Sequence, residues 1–166
     1  MPDTDEYLSR IQSLAQSGDY LEQQLQTGPL LRSLITGKSG SVLNQAPAAG
    51  KWSVTEIIAH MAEDELVSSW RYRQMLEHDG CLLDGFDQDL WAKLGRYSEW
   101  SCEEALRMFE LLRQANLRMF SSLDEEQWRR GGVHAERGRI TVHDLAKHMA
   151  GHDRNHLQQI HNILRR

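Results

Sequence analysis

The sequence predicts an all-α protein, a four-helix bundle with an additional short helix at its N-terminus. Three observations carry this. Prolines number only three and β-branched runs are few, so little opposes helix. Apolar residues recur at helical spacing in long segments. Several of these segments open on a side-chain cap followed three residues later by an acidic residue. No internal repeat, glycine-rich phosphate loop, Gly-x-Ser-x-Gly elbow or strand pattern supports an α/β enzyme.

Residues 4–17 place Tyr7, Leu8, Ile11 and Leu14 on one helical face, and Gly18-Asp19 breaks that run. Residues 20–36 carry Leu21, Leu25, Leu30, Leu31, Leu34 and Ile35. Gly28-Pro29 interrupts them, so either a new helix starts at Pro29 or one helix kinks there. Gly37 to Gly50 reads as a linker. Ser53 and Glu56 form a capping box, flanked by Trp52 and Ile57 as a hydrophobic staple, for a helix to about Glu77. Residues 81–99 read as irregular, with a short helix around 87–94. Ser101 and Glu104 cap a helix to about Ser121, and 123–128 form a single turn. Gly131-Gly132 and Gly138 mark a loop carrying His134. Thr141, with Asp144 in the first turn, opens the last helix, which ends near Leu164.

The chain of 166 residues is most simply one domain, long enough to bury a core without a structural metal. Its formal net charge of −5 argues against nucleic acid as a partner. No apolar run approaches membrane-spanning length, so no membrane partner is expected. The acidic start, Pro2-Asp3-Thr4-Asp5-Glu6, is unlike a secretory signal. A cytoplasmic protein with Cys81 and Cys102 as free thiols is the expectation.

Four of the eight histidines crowd into residues 147–161, three of them (His148, His152, His156) at spacing four. Residues four apart share a helix face, so a pair of them can hold one metal ion; a histidine-rich surface helix is the plainer alternative. At about 100° per residue, His156 lies inside the apolar arc and His152 at its edge. His148 falls outside it as a flanking group, and His143 and His161 point to solvent. On the Ser53–Glu77 helix, His60 occupies the same edge position. A lone histidine there is ordinarily a hydrogen-bonded core residue; the two edge histidines on another helix give it a ligand's role. Three carboxylates accompany them. Asp153 lies in the apolar arc, where it would orient a ligand or form a structural salt bridge. Glu65 also lies in an apolar arc and needs a partner. Asp64, one turn beyond His60, would accept an imidazole N–H or join a solvated acidic face. A second strip on the same helix, Ala59, Leu66 and Trp70, would pack on the N-terminal helix or form a dimer contact.

Two stretches resemble a known family. Lys51-Trp52-Ser53 with Glu56 and Ile57-Ile58-Ala59-His60-Met61-Ala62-Glu63-Asp64-Glu65 is similar to the second-helix motif of the DinB/YfiT superfamily. Gly138-Arg139-Ile140-Thr141-Val142-His143-Asp144-Leu145 with His152-Asp153-Arg154-Asn155-His156-Leu157-Gln158-Gln159-Ile160 is similar to its fourth-helix motif. The match to the DinB-like branch spans about 19–164, which makes 1–18 an N-terminal extension and 19–166 the bundle domain. The resemblance implies a four-helix bundle, often a homodimer, with a divalent metal on three histidines, here His60, His152 and His156.

Three imidazoles with an open position is the arrangement of a catalytic metal site. The expected metal is Zn or Ni, then Fe. The resemblance favours a metal-dependent enzyme that activates a small thiol, such as bacillithiol or mycothiol, for transfer to an electrophile. Hydrolysis of a small-molecule substrate by metal-bound water is the alternative, with Asp64, Glu65 or Asp153 as proton acceptor. A third reading is a non-catalytic metal-binding or stress-associated bundle.

Overall fold

The computed structural model describes residues 4–15 and 19–165. Four long helices form the bundle: α2 (Tyr20–Ile35), α4 (Val54–Glu77), α6 (Cys102–Phe120) and α8 (Val142–Leu164). Short helices α1 (Thr4–Ala15), α3 (Gly40–Leu43), α5 (Gln88–Leu94) and α7 (Glu125–Arg129) lie between or beside them. Each long helix packs against two others, in the cyclic order α2, α6, α4, α8. Helix α1 lies on α8. The last two residues expected in the first helix, and Gly18 of its break, fall outside the described residues.

The helix starts follow from side chains that satisfy otherwise unpaired N–H groups. Capping boxes stand at Ser53/Glu56, Ser101/Glu104 and Thr141/Asp144, as their spacing predicts, and at Asp124/Gln127. Asp19 caps α2, which runs as one helix through Pro29. Gly28 allows α2 to approach α6, because a Cβ there would lie 3.3 Å from Glu110 Cγ.

Two sequence expectations are corrected. The segments read as loops contain a small sheet of β1 (Cys81–Leu83), β2 (Gly131–His134) and β3 (Gly138–Thr141). Strands β1 and β2 run parallel, with Leu83 opposite His134, and β2 and β3 form an antiparallel hairpin. The glycines admit close backbone approach: a Cβ on Gly131 would sit 2.5 Å from the Ile140 carbonyl oxygen. Gly138 turns the hairpin at φ +67°. The second correction concerns one of the two readings of the strip on α4, its packing on the N-terminal helix. Ala59 is buried, but Leu66 and Trp70 are exposed, because α1 packs on α8 instead.

The core is divided along the bundle axis. One apolar cluster holds Leu31, Ile57, Met61, Leu106, Phe109 and Ile160. The other holds Tyr72, Met75, Phe120, Val142, Leu145 and Met149. Between them every long helix contributes buried polar residues: Gln24 and Thr27 from α2, Glu65 from α4, Arg113 and Asn116 from α6, Asp153 from α8. The histidines of interest sit at the α4–α8 edge of this layer. No helix among the described residues is long and apolar enough to cross a membrane. Both cysteines are free.

Candidate metal centre

Helices α4 and α8 bring His60, His152 and His156 together, Nε2 toward Nε2. His152 Nε2 lies 3.2 Å from His60 Nε2 and 3.1 Å from His156 Nε2. All three candidate ligand atoms fall within 4.8 Å of one another. Two nitrogens bound to one tetrahedral ion at about 2.0–2.1 Å stand about 3.3 Å apart, so this spacing fits a shared ion. All three side chains are buried, at 4%, 3% and 7% exposure. Burial, and then the neighbouring imidazoles, drives His60 and His152 well below the usual histidine range. Burial takes His156 down to about 4, against the Gln159 contact. The centre therefore presents neutral imidazoles, the form that binds a metal.

Each ring is held from behind or from the side. His156 Nδ1 lies 2.9 Å from Gln159 Oε1, one turn on, which leaves Nε2 free to face the centre. The Trp52 ring packs on His60 at 5.0 Å between centroids. His152 Nδ1 is buried without a hydrogen-bond partner, and Asp153 Oδ1, 4.0 Å away, has none either.

The three acidic residues singled out in the sequence take different places. Asp64 reaches the centre, with Oδ2 3.4 Å from His152 Nε2. Burial raises its carboxyl to about 7, opposed by Arg71. Glu65 points away into the polar layer: it accepts two bonds from Arg113, at 3.0 and 2.8 Å, and one from Asn116 at 2.7 Å. Both Glu65 oxygens are thus engaged by Arg113 and Asn116, away from the three histidines. Asp153 joins both regions. Its Oδ2 accepts from Arg113 at 2.6 Å and from Thr27 at 2.9 Å, and its Oδ1 faces His152. Burial raises the Asp153 carboxyl while Arg113 pulls it down. Burial works against the Arg113 charge, and the two carboxylates outweigh it.

Arg113 and Gln159 are the residues that the sequence reading missed. Arg113 follows Phe109 by four, on the buried face of α6, and two carboxylates in apolar arcs called for a cation. Gln159 follows His156 by one turn. Of the remaining histidines, His143 and His161 are exposed as their wheel positions predict, and His148 is half-buried. His134 is buried at the end of β2.

Helix α1 lies across this part of α8. Ile11 is fully buried, and a Cβ on Gly151 would come within 2.2 Å of the Ile11 carbonyl oxygen. Arg10 bonds Asn155, and Arg154 donates to the Leu14 carbonyl at 3.0 Å.

A family model described as the DinB superfamily matches residues 23–160. A protein of Oceanobacillus iheyensis named "Putative metal-dependent hydrolase OB0413" is 25% identical over 130 residues, 78% of this chain and 75% of its own. "Putative metal-dependent hydrolase YfiT" of Bacillus subtilis is 22% identical over 137 residues, 82% of this chain and 77% of its own. The solved structure of the B. subtilis protein superposes with a TM-score of 0.82 at 18% identity, over 88% of this chain and 84% of that one. It is described as a probable metal-dependent hydrolase with an unusual four-helix bundle topology, and the likeness establishes a shared fold.

Proposed function

The chain belongs to the DinB superfamily, and from that premise we propose that it is a metal-dependent enzyme whose metal is held by Nε2 of His60, His152 and His156. The observation that carries this reading is the convergence of three neutral, buried imidazole nitrogens on one point. Two relatives, each named "Putative metal-dependent hydrolase", support it.

A divalent ion held by the three imidazoles would polarise a substrate oxygen and lower the pKa of a water or thiol beside it. The chain's own residues supply the remainder. Asp64 Oδ2 is the carboxylate at the centre, placed to take up the released proton and return it to a leaving group. Asp153 Oδ1 is placed to accept the Nδ1 proton of His152 and hold that ring in the tautomer that binds through Nε2. The low exposure of the three histidines keeps bulk water from the reacting atoms.

Hydrolysis of a small substrate is the reaction this geometry supports best, because a proton acceptor stands beside the metal position. Transfer of a small thiol to an electrophile is the second reading. Arg71 and Arg137 near Asp64 favour it, since low-molecular-weight thiols such as glutathione carry carboxylates.

The test is a metal-replete assay run against His60→Ala. Model esters, lactones and amides are offered without thiol, and a model electrophile with bacillithiol, mycothiol or glutathione. Metal-dependent turnover without thiol, lost in His60→Ala, supports hydrolysis. Turnover only with thiol selects the second reading. Failure of the wild-type protein to bind stoichiometric metal overturns both.

A further inference from the structure

We propose that the substrate is a small molecule bearing a carboxylate or phosphate, and that Arg71, His134, Arg137 and His148 form an anion subsite beside the three-histidine centre. This deepens the reading above and rests on it for the direction in which the substrate extends.

Four elements deliver these groups to one place. On α4, His60, Asp64 and Arg71 follow one another at spacings of four and seven, along one face. On α8, His148 precedes His152 by one turn. The helices run antiparallel: His60 meets His152 and His156, and Ser68 Oγ lies 3.2 Å from Met149 Sδ. Arg71 and His148 are thus displaced from the histidine centre in the same direction along the two helices. The sheet supplies the rest. Arg71 donates to the Asp84 carbonyl, and Asp84 follows Leu83, which pairs with His134 in the parallel register. The Arg71 guanidinium therefore lies at the end of β2 where His134 sits. Arg137, in the turn after β2, lines a cavity of about 510 Å³ together with His148, between α1, the hairpin and α8.

Two guanidinium groups and two imidazoles meet here, while the cavity is also lined by Arg139, Lys147 and the carboxylates of Glu136 and Asp144. Arg71 is only 8% exposed, yet its bond is to a backbone carbonyl. No carboxylate forms an ion pair with Arg71 or Arg137 among the described residues. His134 Nδ1 accepts the Glu136 N–H at 3.3 Å, which puts the ring proton on Nε2. His148 Nδ1 is buried without a partner. Burial, then the charges of Arg71 and Arg137, holds both histidines below their usual range, so the two guanidinium groups are the permanent charges here. Asp144 and then Asp64 act on Arg137, and Asp64 and then Asp84 on Arg71; Asp64, shared by both, is already placed at the histidines. The two guanidinium groups repel one another and none of these carboxylates is ion-paired with them, so their N–H groups remain available to an anionic ligand. Guanidinium forks recognise carboxylate and phosphate with paired hydrogen bonds. The chain as a whole is acidic, with a net charge of −5, so the two arginines are not part of a general basic surface. Along α4 the separation from Asp64 to Arg71 is about 10 Å, and long side chains lean back toward the N-terminus, so a compact molecule spans it.

The test is calorimetric titration of the metal-free full-length protein, chelator removed, with inorganic phosphate and separately with succinate. Metal-free protein is used so that neither probe can bind an ion. Wild-type protein should bind at least one probe with Kd of about 1 mM or tighter. Arg137→Gln, at a half-exposed turn, should weaken binding about tenfold or more. Arg137→Lys should recover part of the loss. Arg129→Gln, on an exposed pair with Glu125, should bind as wild type does. The tighter of the two probes identifies phosphate or carboxylate as the recognised group. Absence of binding by either probe overturns the proposal, as does unchanged affinity in folded Arg137→Gln. Metal analysis of the same preparations keeps the two ideas apart: metal bound without anion binding defeats the subsite alone, and anion binding without metal uptake defeats the three-histidine reading alone.

Discussion

His152 Nδ1 and Asp153 Oδ1 stand 4.0 Å apart, both buried and both without a hydrogen-bond partner. They belong to successive residues of α8, so the helix itself holds the donor near the acceptor. Once Nε2 is committed to a metal, the imidazole proton must reside on Nδ1 and needs an acceptor. Asp153 provides one, while its other oxygen anchors on Arg113 at 2.6 Å and on Thr27 at 2.9 Å. Asp153→Asn should therefore lower metal affinity about 10- to 100-fold. Competition against a chromophoric chelator measures it, with far-ultraviolet circular dichroism as the check on folding. Equal affinity in the two proteins would remove Asp153 from the metal's support.

The histidines of α8 divide by position, which gives a direct comparison. His156 is buried with Nε2 at the centre, whereas His161, five residues on, is exposed. His156→Ala should abolish stoichiometric metal uptake, and His161→Ala should retain it. The measurement is elemental analysis of protein purified without a metal-affinity tag. Equal metal content in the two variants would defeat the assignment of His156 as a ligand.

Arg113 neutralises two carboxylates in the middle of the bundle, and its side chain is 4% exposed. Removing one partner of a buried ion pair leaves uncompensated charge and costs about 3–5 kcal/mol. Arg113→Met should lose stability of that order in urea unfolding at neutral pH. Glu65→Gln added to it should return part of the loss, since it removes one stranded charge. A loss under about 1 kcal/mol would mean that the network contributes no more than a surface pair.

The reach of the sequence can be judged from these same residues. Helical periodicity sets angular position, so His60, His152 and His156 could be sorted from His143 and His161 before any helix was placed. Periodicity does not say which helices face one another, and Arg113 was passed over for that reason: its partners lie on α4 and α8. The sheet was hidden by its glycines. Gly131 and Gly132 read as loop because glycine weakens strands, yet here their lack of Cβ permits the strands to meet. The pairing of Cys81 with Gly132 is also non-local, and no short window contains both. Helix α3 has four residues, too few to show a period. The anion subsite draws on α4, β2, the hairpin turn and α8, so only the fold assembles it.

Gly151 marks where α1 meets α8. A methyl group there would come within 2.2 Å of the Ile11 carbonyl oxygen, which is backbone and cannot swing aside. Gly151→Ala should force α1 away, at a cost of about 1–3 kcal/mol. Amide hydrogen exchange over residues 4–15 should accelerate, with exchange in the middle of α6 unchanged. Unaltered exchange over 4–15 would show that α1 does not depend on this contact.

His148 gives a prediction about acid. It packs on α8 one turn before His152, with Arg71 of α4 and Arg137 of the hairpin acting on it. Burial, then those two charges, lowers its pKa to about 3, whereas the unfolded chain titrates near 6.5. Between these values the unfolded state takes up a proton that the folded state refuses. His148 therefore contributes its full stability above about pH 6.5, and the contribution is lost progressively as pH falls toward 3. His148→Gln abolishes this proton uptake. In metal-free protein, the decline in unfolding free energy between about pH 7.5 and about pH 5 should be shallower for the variant, by up to about tenfold in the folded-to-unfolded ratio per pH unit below 6.5. Denaturant unfolding at the two pH values measures both slopes. Parallel slopes would show that His148 is free to take up a proton in the folded protein, and that the two arginines do not hold it neutral.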